Sequence, residues 1–251
     1  MRIIARLDIK GPNLIKGINL EGLRVLGNPN EFAIEHYKNG ADELIFMDLV
    51  ASLYNRNSLH DIIKTASKNI FIPFTVGGGI RSVEDAVKIF ESGADKIAIN
   101  TKAIQNPSLI KELVKKFGSQ AVVLSVEAKK LSKNKWEPYI ETGREKTELD
   151  LVEWIKRATE LGAGEILLTS VDKEGTCEGF DLDLIYEVSK NTSVPIIASG
   201  GFGNLNDLEL ADKAGADAIA VAHIIHYKKL SLRQIRSFAL EKKISVRNFA
   251  Q

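Results

Sequence analysis

Asp8 closes the apolar run "RIIARLDI", and Glu127 directly follows the apolar run "AVVLSV". Acids at the ends of buried strands stand where a strand-to-loop junction collects catalytic groups. Two of them facing one ligand from opposite sides suit a general acid and a general base. The alternative for each is a helix cap or a loop salt-bridge partner. Glycine builds a second kind of group. Gly77-Gly78-Gly79 follows "IPFTV", and Gly200-Gly201 follows "VPIIAS", which ends in Ser199. Such turns let backbone N–H groups and a helix N-terminus approach a phosphate, or they simply reverse the chain tightly. The next apolar runs end in Asn100-Thr101 and Ala222-His223. Two matched sets of this kind predict two anion sites, and so a phosphorylated small-molecule substrate with two phosphates. Asp48 and Ser170 end two further runs, with Thr169, Asp172, Glu174 and Gly175 close by. These could bind ribose hydroxyls, assist proton transfer or cap loops. Arg2, Glu43, Lys96 and Glu165 open apolar runs, either as solvated strand ends or as a charged ring at the lower mouth of a barrel.

These groups fall on a repeat. The segment from Ile72, "IPFTVGGGIRSVEDAVKIFESGADKIAIN", matches "VPIIASGGFGNLNDLELADKAGADAIAVA" from Val194 at an offset of 122 residues. The same offset carries "GADELIF" onto "GAGEILL". Repeated units of half a chain predict a fold with internal two-fold symmetry. Apolar runs rich in Val, Ile and Leu, with little alternation, predict strands of a parallel sheet covered on both faces. Helical stretches such as "NEFAIEHYKNG", "SVEDAVKIFESG", "PSLIKELVKKFG" and "LDLVEWIKRATELG" lie between them. Their closing glycines Gly40, Gly93, Gly118 and Gly162 read as C-terminal caps, and Ser82 with Asp85 as an N-terminal cap. Eight strands alternating with eight helices leave a doubly wound open sheet or a closed barrel. The repeat favours the α/β class, as a single (β/α)8 TIM barrel over residues 1–251, with half-barrels of about 1–119 and 120–251. No G-x-G-x-x-G follows the first strand, which weakens the dinucleotide-binding sheet.

Two connections are long, about Lys10 to Asn28 and about Ala128 to Thr147, after strands one and five. Strand-to-helix loops build the active face of a barrel, so this symmetric pair reads as lids. Trp136 in the second could cover a ligand, and Trp154 reads as packing. His36 and His60 fall on helical stretches and read as surface residues. His, Cys and acidic ligands at metal spacing are not assembled anywhere, so no metal and no cofactor is expected. The net charge of +1 argues against nucleic acid or membrane as partners. One cysteine, Cys177, excludes an intramolecular disulfide and fits a reducing, cytoplasmic location.

Motifs along nearly the whole chain resemble the cyclase subunit of imidazole glycerol phosphate synthase (HisF), a family of histidine biosynthesis. They are "LDIKGPNLIKGINLEGLRVLGNP", "GADELIFMDLVAS", "IPFTVGGGIRSVEDA", "GADKIAINT", "FGSQAVV", "LGAGEILLTSVDKEGT" and "VPIIASGGFGN". The resemblance implies a lyase on a (β/α)8 barrel, paired as a heterodimer with a glutaminase subunit that supplies ammonia through the barrel. Ammonia would convert a bisphosphorylated ribulosyl aminoimidazole carboxamide ribotide to imidazole glycerol phosphate and an aminoimidazole carboxamide ribotide. The family's catalytic acids align with Asp8 and Glu127, with Asp8 read as general acid and Glu127 as general base. Its lid lysine aligns with Lys16, and Asn19 also matches the lid. Its phosphate positions match Gly79, Asn100, Thr101, Gly201 and Ala222, and its gate of four charges matches Arg2, Glu43, Lys96 and Glu165.

Four departures cluster at the catalytic face. Glu127 replaces an aspartate, and one methylene moves a carboxylate by roughly an ångström, which can cost about a hundredfold in rate. Glu174 replaces a second aspartate, His223 stands where serine is usual, and Ala5-Arg6 replaces Pro-Cys ahead of Asp8. They leave two other readings open: a paralogue that uses channelled ammonia to form an amidine on a nucleotide sugar for surface glycans, and a non-catalytic scaffold that activates a glutaminase.

Overall fold

The computed structural model describes residues 1–51 and 59–249. Ser52, which ends one of the quoted motifs, lies outside them. In chain order the strands are β1 (Arg2–Lys10), β2 (Asn13–Ile18), β3 (Glu21–Gly27), β4 (Glu43–Asp48), β5 (Phe74–Gly77), β6 (Lys96–Ile99), β7 (Val122–Ser132), β8 (Lys135–Ile140), β9 (Glu145–Lys146), β10 (Glu165–Ser170), β11 (Ile196–Ser199) and β12 (Ala218–Val221).

Eight of these close a parallel ring. β1 pairs with β12 on one side and β4 on the other, and β7 pairs with β6 and β10. The closure excludes the open doubly wound sheet and gives the expected (β/α)8 barrel. Alternation along β1 explains its lack of a polar face. Ile3, Ala5, Leu7 and Ile9 enter the core between sheet and helices. Ile4 enters a second core on the barrel axis with Ile45, Ala98, Val123, Leu167, Ile197 and Ala218. Side chains two residues apart share a face, so Arg2, Arg6 and Asp8 also point inward.

The helices begin and end where local chemistry dictates. Ser82 Oγ accepts from the Asp85 N–H at 3.2 Å, opening the helix Val83–Glu91. Gly93 follows it with φ 111°, and a Cβ there would stand 2.6 Å from Ser67 Cβ. Glycine alone fits that reversal.

Both long connections are β-hairpins rather than irregular loops. β2 runs antiparallel to β1, with Asp8 opposite Ile15, and turns at Asn19-Leu20 into β3. β7 continues beyond the ring to Ser132, and β8 returns with Tyr139 opposite Glu127. Asn19 and Leu20 are both left-handed, with φ of 52° and 63°, as a two-residue hairpin turn requires. Leucine is an uncommon choice there. Its burial in the apolar cluster of Ile15, Leu49 and Val171 offsets the conformational cost.

Candidate active site

The inward face of β1 carries a buried charge network into the upper mouth. Arg6 donates from Nε to Asp8 Oδ1 at 2.8 Å. Its Nη1 reaches across to Thr169 Oγ1 on β10 at 2.9 Å and Ser199 Oγ on β11 at 3.0 Å. Lys16, brought over by the first hairpin, donates to Asp8 Oδ2 at 2.8 Å and also pairs with Glu174. Burial alone would push the Asp8 carboxyl up, but Arg6 and Lys16 outweigh it and hold it well below the usual carboxylate range. Burial likewise works against the charged form of Lys16, and Asp8 and Glu174 more than offset it, raising its pKa. The hairpin is seated by backbone contact. The Asn19 N–H donates to the Glu174 carbonyl at 2.7 Å, and a Cβ on Gly175 would stand 2.3 Å from the Gly17 carbonyl oxygen.

Glu127 lies on the opposite wall. Its Oε2 accepts from Asn100 Nδ2 at 3.0 Å and from the Gly143 N–H at 2.8 Å. Burial raises its pKa to about 7, against the lowering effects of the Gly143 N–H and Arg6. Glu127 lines a cavity of about 490 Å³ with Asp48, Gly78, Gly79, Asn100 and Thr101. A Cβ on Gly78 would stand 2.3 Å from the Asp48 carbonyl oxygen, so the turn admits only glycine. Asn100 Oδ1 is buried without a protein partner.

The repeat-related turn is much tighter. Ser199, Gly200, Gly201, Ala222, His223 and Glu174 enclose only about 20 Å³. His223 Nδ1 is buried without a partner, and its ring stacks on Tyr227 at 4.5 Å between centroids. The two candidate anion sites therefore share a backbone plan and differ in openness.

At the other end of the barrel the four strand-opening charges form a closed ring. Arg2 contacts Glu43 at 2.7 Å and Glu165 at 2.5 Å, and Lys96 contacts Glu43 at 3.0 Å and Glu165 at 2.9 Å. Both acids are buried and each is held by both cations. Solvated strand ends would not make these four contacts, so the ring reading stands.

Asp48 Oδ1 accepts from the Val50 N–H at 3.0 Å, so it caps its loop while its residue lines the cavity. Thr169 and Glu174 serve the charge network. Asp172 accepts from the Lys130 N–H at 2.9 Å. Trp136, read as a possible ligand cover, is buried, and its Nε1 donates to Asp181 Oδ2 at 2.9 Å. Trp154 is buried packing, as expected.

His36 is not a surface residue. It is buried and meets His226 at 3.0 Å, whose other nitrogen contacts the Arg6 carbonyl at 2.9 Å. Helical position alone does not reveal this, because the partner lies 190 residues away. Arg6 is the residue at this site whose place the sequence revealed least. Its signal was a cation inside an otherwise apolar strand, which requires buried partners. Among the described residues no group of three or more His, Cys, Asp or Glu is placed to hold a metal ion.

A closed barrel with carboxylates on opposite walls of one mouth and glycine turns beside them has the layout of a (β/α)8-barrel enzyme. The chain belongs to the histidine biosynthesis protein family, whose pattern matches residues 2–231. It is similar to the imidazole glycerol phosphate synthase subunit HisF of Legionella pneumophila, at 60% identity over 207 residues, covering 82% of this chain and 98% of that protein. The subunit HisF of Streptococcus mutans is 45% identical over 247 residues, covering 98% of each chain. That of Hydrogenobaculum sp. is 46% identical over 247 residues, with the same coverage.

Proposed function

We propose that the protein is the ammonia-dependent cyclase subunit of an imidazole glycerol phosphate synthase. It would convert the bisphosphorylated ribulosyl aminoimidazole carboxamide ribotide to imidazole glycerol phosphate and the aminoimidazole carboxamide ribotide. The observation that carries this reading is the placing of Glu127 on the wall of an open cavity floored by Gly78 and Gly79, across the mouth from Asp8. One phosphate would rest on Gly79, Asn100 and Thr101, where the unpartnered Asn100 oxygen is free to accept from a ligand hydroxyl. The second would take Gly200, Gly201, Ala222 and His223, with Ser199 below. That turn must widen for it, and Lys16 must leave Glu174 as the hairpin lifts. Asp48 and Thr169 then face the sugar hydroxyls, and Asn19 at the hairpin tip closes over the ligand.

The relatives are named as subunits, which implies a partner chain. We infer that the partner is a glutaminase docked below the barrel, with ammonia entering through the ring of Arg2, Glu43, Lys96 and Glu165. No described helix is long and apolar enough to cross a membrane. We place the enzyme in the cytoplasm. The nucleotide-sugar acceptor and the non-catalytic scaffold have no observation in their favour.

The test supplies the ribulosyl ribotide with an ammonium salt and follows its loss. Turnover by the wild-type chain, without a glutaminase, is the expected result. A chain that binds a glutaminase normally but leaves the ribotide untouched would overturn the reading.

A further inference from the structure

Arg6 has no task in the reaction as described, yet it occupies the centre of the mouth. It is 2% exposed, and its fork spans β1, β10 and β11 through Asp8, Thr169 and Ser199. A guanidinium is always charged and holds its donors in a fixed plane. With Lys16 on the other side, each oxygen of Asp8 carries a cationic donor. Glu127 differs in kind. Its hydrogen-bond donors, the Asn100 amide and the Gly143 N–H, are neutral, and both serve Oε2. The charged groups around Asp8 are Arg6 on its own strand, Lys16 on β2, Glu174 after β10 and Glu127 on β7, with His226 reached through the Arg6 carbonyl. Those around Glu127 are Arg6, Asp8 and Glu141.

We propose that Arg6 is a positioning residue that fixes Asp8 as the permanent anion of the mouth and leaves the proton traffic of the reaction to Glu127. The inference rests on the cyclase reading and moves the general-acid role expected of Asp8 to Glu127, which then serves as both acid and base. When ammonia adds to the substrate carbonyl, Glu127 gives its proton to the carbonyl oxygen and takes one from the nitrogen. Glu127 repeats the exchange on the resulting carbinolamine, giving a second proton as the hydroxyl leaves as water and taking a second from nitrogen as the imine forms, so it ends as it began. Asp8 remains ionised, anchors Lys16 and offsets the positive charge that develops on nitrogen. A carboxyl raised to about 7 can both give and accept a proton at neutral pH.

The experiment follows the side-chain carboxyl ¹³C resonances of the free protein against pH, assigned through Asp8→Asn and Glu127→Gln. In the wild type, Glu127 titrates near neutrality and Asp8 stays silent between about pH 4 and 9, although a free aspartate titrates near 3.9. In Arg6→Met the Asp8 midpoint moves up into that window, and Arg6→Lys restores silence. In turnover, Arg6→Met lowers kcat on the order of a hundredfold. It also adds a second ionisation to the acid limb of kcat/KM, which a purely structural role would not do. An Asp8 that titrates in this window in the wild type overturns the proposal. So does an Asp8 that stays silent in Arg6→Met. Should Arg6→Met fail to fold, the wild-type titration still decides between the outcomes. The resonances are read without substrate, so a failed ribotide assay sinks the cyclase reading separately.

Discussion

Asp8 and Glu127 have the same chemistry and opposite surroundings. Two cations hold one, and burial raises the pKa of the other. Removing the titrating group is therefore the sharper test of catalysis. Glu127→Gln keeps the shape and loses the proton, so ammonium-supported kcat should fall on the order of 10²–10⁴-fold with folding intact. Glu127→Asp keeps the acid but withdraws it from Asn100 and Gly143 by roughly an ångström, and steady-state kinetics should show a loss of about a hundredfold. Both acids were legible in the sequence because each ends an apolar run. The contrast in their surroundings was not, because Arg6 is held in place by Thr169 and Ser199, 163 and 193 residues away.

The two hairpins are the elements that flank the mouth. The sequence showed two long, symmetric connections at the catalytic face. It did not show strands there, since neither carries an Asn-Gly or Asp-Gly turn. The first hairpin is held down by Leu20, which is 2% exposed at its tip, and by the Lys16 ion pairs. Leu20→Ala removes the apolar anchor, and burying a leucine contributes about 2–5 kcal/mol in such sites. The expected outcome is local: faster amide exchange and faster proteolysis confined to residues 13–27, with the melting temperature little changed. A uniform loss of protection across the barrel would show that the hairpin belongs to the global fold instead.

At the scale of the molecule, ring closure makes the half-barrels parts of one sheet through the β1–β12 and β6–β7 pairings. We predict one cooperative calorimetric transition, and two separate ones would show that residues 1–119 and 120–251 are independent domains. Lys96→Ala leaves Glu43 and Glu165 with one cation between them at the lower mouth. It should cost about 1–3 kcal/mol, less than a fully buried pair because Lys96 is partly solvated. In complex with a glutaminase, it should lower glutamine-supported turnover more than ammonium-supported turnover. Acid stability follows from the buried histidines. Burial lowers His36 to about 4 and His226 to about 3, while an unfolded histidine titrates near 6.5. Their contribution is thus complete above about pH 6.5 and is lost as pH falls towards the folded values, by at most about 1.4 kcal/mol per pH unit for each. Glu127, raised to about 7, works in the opposite direction over part of this range. The two histidines outweigh it, so urea midpoints should fall between about pH 6.5 and 5. His226→Gln should flatten that fall.

The sequence by itself determined the barrel, the paired glycine turns, the two acids and the four ring charges. All of these rest on local pattern: apolar runs, closing glycines and a constant offset of 122 residues. Only the tertiary structure decided that the long connections are hairpins, that His36 is buried and that one glycine turn is open while its twin is nearly closed. It alone showed Arg6 and Lys16 each bound to one oxygen of Asp8. The physical reason is common to these features. Each depends on what a side chain meets across the barrel, and burial with a distant partner leaves no period in the chain.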